Sequence, residues 1–204
     1  MTTAARIPPR DRDAVLQALR AGVVPRRGLQ YIQVGRAREV EALIKDIDRI
    51  NAAGSAIRFV IGDFGAGKTF FLSLIRAVAL EKGLITMTAD LNPDRRLYGS
   101  GGQARSLYSE LTRNIATRTK PEGGAMASVV ERFITTALQQ YKSTGESVES
   151  VIQQCLQSLT ELVGGYDFAQ VIECYWRGHD QGNEQLKIDA VRWLRGEFTT
   201  KTDA

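Results

Sequence analysis

The sequence predicts an α/β fold whose core holds few parallel strands and whose C-terminal half is largely helical. Three observations predict it. A run rich in β-branched and aromatic residues at 57–61 leads into a glycine-rich stretch and then a strongly apolar helical pattern. A second short apolar run at 84–89 follows that helix at once. Strand, loop, helix and strand in that order make a βαβ unit, with the right-handed crossover and parallel pairing such units take. Beyond residue 100 the pattern is helical and broken only by glycine-rich links.

The elements follow in order. Residues 13–21 read as a short helix carrying Val15, Leu16 and Leu19, stopped by Gly22 and Pro25. Residues 31–34 read as an extended piece. Gly35 then precedes an amphipathic helix in which Val40, Leu43, Ile44, Ile47 and Ile50 recur at helical spacing. A polar loop at 51–55 leads to the first strand. The next helix runs from Lys68 to about Lys82, where Gly83 supplies a C-terminal cap. The second strand ends at Asp90, and 92–102 is a polar loop. Helices are then expected over 104–117, 125–141, 148–163, 168–177 and 184–195, separated by Gly123-Gly124, Gly145, Gly164-Gly165 and the stretch 178–182. The organisation is a core at residues 1–100 followed by a helical subdomain or insertion at 101–204.

Between the first strand and its helix stands Gly62-Asp63-Phe64-Gly65-Ala66-Gly67-Lys68-Thr69, which fits G-x-x-x-x-G-K-[ST] at every fixed position. This is the phosphate-binding loop, or Walker A pattern, and each fixed residue has a physical reason. The glycines let the chain wrap so that successive backbone N–H groups point inward at an anion. The loop feeds a helix N-terminus, whose free N–H groups and dipole favour phosphate. Lys68 reaches the β- and γ-phosphates, and the Thr69 hydroxyl ligates Mg²⁺. Phe70 continues into the helix behind them. The expected ligand is ATP or ADP with Mg²⁺.

Turnover needs more than the loop. Mg²⁺ is usually held through water by an acid at the end of a neighbouring strand. Asp90 is the one candidate, a weak one, since its strand follows the loop helix immediately and capping of the next loop explains it as well. Glu161, Glu173 and Asp189 fall in helical pattern, and His179 lies in a glycine-rich link, so no set of nucleophile, base and orienting group emerges. Two other classes stay open: an interaction module gated by nucleotide without hydrolysis, and a phosphotransferase acting on a small acceptor.

Composition narrows the rest. The apolar content of 43% and charged content of 25% exclude a disordered chain. No apolar run approaches the roughly 18 residues that cross a bilayer, and the first ten residues lack the apolar core of a signal peptide. Cys155 and Cys174 read as reduced, buried helical residues, which favours the cytoplasm. The formal charge of +4 is mild. Its clearest cluster, Arg20, Arg26, Arg27, Arg36 and Arg38, precedes the loop and suits nucleotide or partner contacts better than a DNA groove.

Val34-Gly35-Arg36-Ala37-Arg38-Glu39-Val40 resembles the GRxxE box that precedes the phosphate loop in AAA+ proteins related to origin-recognition ATPases and in STAND NTPases. That resemblance implies that Ile32 and Val34 pack against the adenine, with Gly35, Arg36 and Glu39 tying the box to the domain. Wider stretches resemble the BrxD-like ATP-binding proteins of BREX bacteriophage-exclusion systems. They are Ala18-Leu19-Arg20-Ala21-Gly22-Val23-Val24-Pro25, Phe59-Val60-Ile61 with the loop, and Ala89-Asp90-Leu91-Asn92-Pro93-Asp94-Arg95-Arg96. Gly101-Gly102-Gln103 and Arg113-Asn114-Ile115-Ala116-Thr117-Arg118 complete the set. The resemblance implies a cytoplasmic, AAA+-like ATPase in anti-phage defence, with ATP binding and hydrolysis driving a conformational or assembly switch. It implies as partners other proteins of the defence system, further copies of the chain, and DNA through regions beyond it. Family members continue past residue 204, so the resemblance also implies that the acidic magnesium-site strand lies further on and that this chain alone binds nucleotide with little or no turnover.

Overall fold

The computed structural model describes residues 7–98, 102–160 and 165–198. Its helices are α1 (Pro9–Arg20), α2 (Leu29–Ile32), α3 (Ala37–Asn51), α4 (Lys68–Glu81), α5 (Gln103–Arg113), α6 (Met126–Thr144), α7 (Val148–Thr160), α8 (Gly165–Asp180) and α9 (Glu184–Leu194). Two compact units divide the chain, Met1–Leu84 and Ile85–Ala204.

In the first unit, α1 opens on Pro9, whose fixed φ and missing N–H suit a first helical position. Gly28 takes φ 74°, and a Cβ there would lie 2.8 Å from the Val15 side chain. Glycine thus allows the chain to turn tightly against α1 and start α2 with Leu29 buried. Residues 29–32 are one helical turn, where an extended piece is expected at 31–34. Both α2 and α3 pack on α4. The buried side chains are Leu29 on α2, Ile47 on α3, and Phe71, Leu74 and Leu80 on α4. Lys82 closes the end of α4 with an ion pair to Asp48, 2.6 Å.

Among the described residues the expected core of parallel strands is not there. Residues 57–61 have the composition of a buried strand, yet no ladder partner stands beside them among the described residues. Ile57, Phe59 and Ile61 are 83%, 84% and 92% exposed, so the alternating apolar face meets solvent. Residues 84–89 form no strand either; Thr86 alone makes an antiparallel bridge, exchanging hydrogen bonds with Ala116 at 3.0 and 2.8 Å. The βαβ unit is therefore corrected to a helical arrangement among the described residues, with isolated bridges at Thr86–Ala116 and Asn92–Arg95. The physical reason is that a strand exists only through a neighbour's N–H and C=O groups. Composition signals that a segment could pair, and pairing itself is long-range.

The second unit is a run of helices packed in chain order, α6 on α7, α7 on α8 and α8 on α9. Ile134, Val151, Ile152, Tyr175, Trp176 and Leu194 fill its centre. Gly145 ends α6 in the left-handed conformation at φ 75°, and the Asn183 side chain caps α9 by accepting from the Leu186 N–H at 3.1 Å. The α8–α9 corner is close: a Cβ on Gly178 would sit 3.0 Å from the Asn183 carbonyl oxygen and 3.1 Å from the Lys187 nitrogen. Glu149 accepts from the Trp176 indole N–H at 2.7 Å, which holds its carboxyl below the usual carboxylate range. At the end of α9, Tyr108 on α5 donates to the Leu194 carbonyl at 2.7 Å. Both cysteines are free, and Cys155 is exposed where a buried position is expected.

Candidate functional site

The site lies within Met1–Leu84 and begins at residue 62. Ala66 N–H closes a tight turn on the Asp63 carbonyl at 3.2 Å, and Gly65 and Gly67 follow in left-handed conformations at φ 80° and 82°. Any side chain would be strained at both positions, which is why glycine stands there. Gly67 is also the N-cap of α4 and offers no side-chain cap. The first helical hydrogen bond runs from Phe71 N–H to the Gly67 carbonyl at 3.0 Å. The N–H groups of the preceding turn, at Lys68, Thr69 and Phe70, thus lack intrahelical acceptors and stand at the positive end of a 14-residue helix.

Lys68 folds back over the loop. Its ammonium donates to the carbonyls of Gly62 and Asp63, both at 2.7 Å. Thr69 is exposed in the first turn of α4, and Phe64 is exposed at the tip of the loop. Behind the loop, Phe71 is buried against the unit's core.

Arg36 approaches from the other side. It is the N-cap of α3 with φ 52°, a left-handed conformation uncommon for a residue with a side chain. Gly35 before it has φ 73°, and the Gln33 side-chain amide donates to the Gly35 carbonyl. The turn so formed aims the Arg36 guanidinium at the loop, where it donates to the Ala66 carbonyl at 2.7 Å and lies 5.9 Å from the centre of the Phe71 ring. The Gly-Arg box and the glycine loop, thirty residues apart, are therefore in direct contact. An Arg36→Ala chain should keep its fold and lose about tenfold in nucleotide affinity, since one charge-assisted contact that holds the loop is gone. Comparative titration of the two chains with ATP checks this, and an unchanged affinity would remove Arg36 from the site.

Sequence reasoning missed Arg58 and Asp46. Arg58, in the irregular segment before the loop, makes a two-pronged ion pair to Asp46 on α3, with the second hydrogen bond at 3.1 Å. Asp46 is buried, 8% exposed, although its helix position reads as part of a charged, wet face. Nothing local in the sequence distinguishes it from Asp48 two residues on. The hydrogen bonds from Arg58 hold the Asp46 carboxyl below the usual carboxylate range. The stabilisation is therefore complete above the unfolded-state value of about 3.9 and is lost as pH falls through the lower folded-state value. Thermal melting from pH 7 downward should show wild type losing stability toward Asp46→Asn as the pH drops below about 4. A gap between the two that stays constant with pH would overturn this role.

Together these groups border a cavity of about 440 Å³. Arg36, Arg58 and Lys68 supply positive charge, Glu39 the one carboxylate among the described residues of the lining, and Leu43 and Phe71 apolar surface. A concave site lined by both cations and apolar side chains suits a ligand that is part anion and part aromatic. Ile32 is half-buried at the end of α2 and Val34 is 92% exposed; neither borders the cavity. Asp90 belongs to the other unit, exposed in an irregular segment. The turn that follows is capped by Asn92, whose side-chain oxygen accepts from Asp94 N–H at 3.0 Å. Of the basic cluster upstream, Arg27 pairs with Asp11 at 3.8 Å and Arg36 serves the loop.

The sequence model of one family, described as BREX system ATP-binding protein BrxC/D, matches residues 7–204. The chain belongs to this BREX family. The match takes in both units, and with them the Gly-Arg turn, the glycine loop and the helical run. Membership carries an anti-phage defence role with nucleotide binding. No curated protein and no solved structure is similar enough to match the chain.

Proposed function

We propose that the chain binds Mg-ATP or Mg-ADP on the loop at residues 62–69. The observation that carries this reading is the uncapped start of α4 with Lys68 poised over the same loop. The residues fit the ligand. In the bound state the Lys68 ammonium exchanges the carbonyls of Gly62 and Asp63 for β- and γ-phosphate oxygens, a stronger charge-assisted pairing. Backbone N–H groups around Gly65 and Gly67 and at the start of α4 cradle the phosphates. The Thr69 hydroxyl would hold Mg²⁺, which would neutralise charge on the phosphates. Arg36 keeps the loop shaped through Ala66, and the apolar wall at Leu43 and Phe71 takes the base.

The chain's contribution to turnover is positioning and charge, and no general base is assigned to it. In the defence system, nucleotide binding and hydrolysis would drive a conformational or assembly switch, and this chain by itself is expected to bind without appreciable turnover. The same reading places it in the cytoplasm beside other proteins of the system. No helix among the described residues is long and apolar enough to cross a membrane.

Calorimetric titration with ATP and ADP, with and without Mg²⁺, tests the proposal. One saturable site per chain is the expected result. Absence of heat with either nucleotide, in a chain that melts cooperatively, would overturn it.

A further inference from the structure

We propose that Glu39 selects the sugar of the nucleotide: its carboxylate accepts from the 2′- and 3′-hydroxyls of a ribose, so the cavity prefers a ribonucleoside triphosphate to its deoxy forms. This role rests on the nucleotide reading of residues 62–69 and adds to that site a group that discriminates among nucleotides. One face of α3 lines the cavity. Glu39, Ala42 and Leu43 follow the N-cap Arg36 at helical spacing, and all four border the cavity. Arg36 touches the glycine loop at the Ala66 carbonyl, 2.7 Å. Glu39 comes one turn further on, about 4.5 Å along the axis at 1.5 Å per residue, and Leu43 a turn beyond it.

The carboxylate is available. Glu39 is exposed in the first turn of α3 and has no hydrogen-bond or ion-pair partner among the described residues. Ala42 and Leu43 beside it carry no side-chain donor, and Arg36 is held on Ala66 and near the Phe71 ring. Asp46, the next acid along α3, is taken by Arg58. An ionised carboxylate accepts hydrogen bonds and donates none, so next to phosphate oxygens it would only repel. It needs a ligand group rich in donors. Two vicinal hydroxyls offer one donor to each carboxylate oxygen, a charge-assisted pairing. The order along α3 is loop contact, carboxylate and apolar side chains, which is the order of phosphate, sugar and base in a nucleotide. An acid in a first turn also favours the helix dipole, and that role alone makes a different prediction.

The test is calorimetric titration of the whole chain and of Glu39→Ala with Mg²⁺ and four triphosphates: ATP, its 2′-deoxy and 2′,3′-dideoxy forms, and purine riboside triphosphate, which lacks the 6-amino group. Wild type should bind the dideoxy form about tenfold or more weakly than ATP, with the 2′-deoxy form between them. Glu39→Ala should bind ATP about as weakly as wild type binds the dideoxy form, and should no longer distinguish the two. Any penalty for purine riboside triphosphate should be the same in both chains. Equal binding of ATP and the dideoxy form by wild type, or a sugar preference that survives in Glu39→Ala, would overturn the role. So would a substitution that weakens every triphosphate alike, which is the signature of the helix end alone, or one that removes only the penalty for the missing amino group, which would make Glu39 a reader of the base. These results leave nucleotide binding standing, whereas no heat with ATP in wild type would overturn both.

Discussion

Lys68→Ala is expected to remove calorimetrically detectable ATP binding, with a loss of about 100-fold or more in affinity. The ammonium is the one cation in the loop's own sequence, and hydrogen bonds to charged groups contribute roughly 1.5–3 kcal/mol each. Two such bonds, one to each of two phosphates, correspond to at least two orders of magnitude. Lys68 is bound to the carbonyls of Gly62 and Asp63, so its removal also frees the loop, and the control is the melting temperature without nucleotide. That temperature should change little, because the buried contacts of α4 are made by Phe71, Leu74 and Leu80. Added Mg-ATP should then raise the melting temperature of wild type and leave Lys68→Ala where it was, since only a ligand that binds the folded state stabilises it. Equal affinity in the two chains would move the ligand away from this loop.

How far the sequence could be read depends on the range of the interactions involved. The helical run from α5 to α9 is legible because periodicity and a Gly145 stop are written within a few residues of where they act. The glycine loop is legible for the same reason: its conformation needs Gly65 and Gly67, and no side chain can substitute at φ 80° and 82° without strain. The strands were misread because 57–61 and 84–89 carry β composition but find no ladder among the described residues. Whether Ile57 pairs depends on segments that share no local pattern with it. The same holds for the site's second layer. Arg36 on Ala66 and Arg58 on Asp46 join residues thirty and twelve positions apart, and Asp46 is indistinguishable in sequence from its exposed neighbours.

The largest effect on stability is expected from Ile152→Ala. Ile152 on α7 is fully buried in the cluster that includes Ile134 on α6, Trp176 on α8 and Leu194 on α9. Truncation there leaves a cavity bounded by rigid helices, and such changes cost about 2–5 kcal/mol out of a total of roughly 5–15 kcal/mol for a domain. The chain carries its own probe for this unit, since both tryptophans, Trp176 and Trp193, lie on α8 and α9. Tryptophan fluorescence during urea denaturation should therefore show the midpoint falling sharply in Ile152→Ala. Ile152→Val, which removes one methylene, should lose only about 0.5–1.5 kcal/mol. ATP affinity measured well below the midpoint should be retained, because Arg36, Lys68 and Phe71 make their site contacts within Met1–Leu84. A midpoint unmoved by Ile152→Ala would mean that α7 is not part of the core. A midpoint that falls together with ATP affinity at low urea would mean that the helical run helps to shape the nucleotide site.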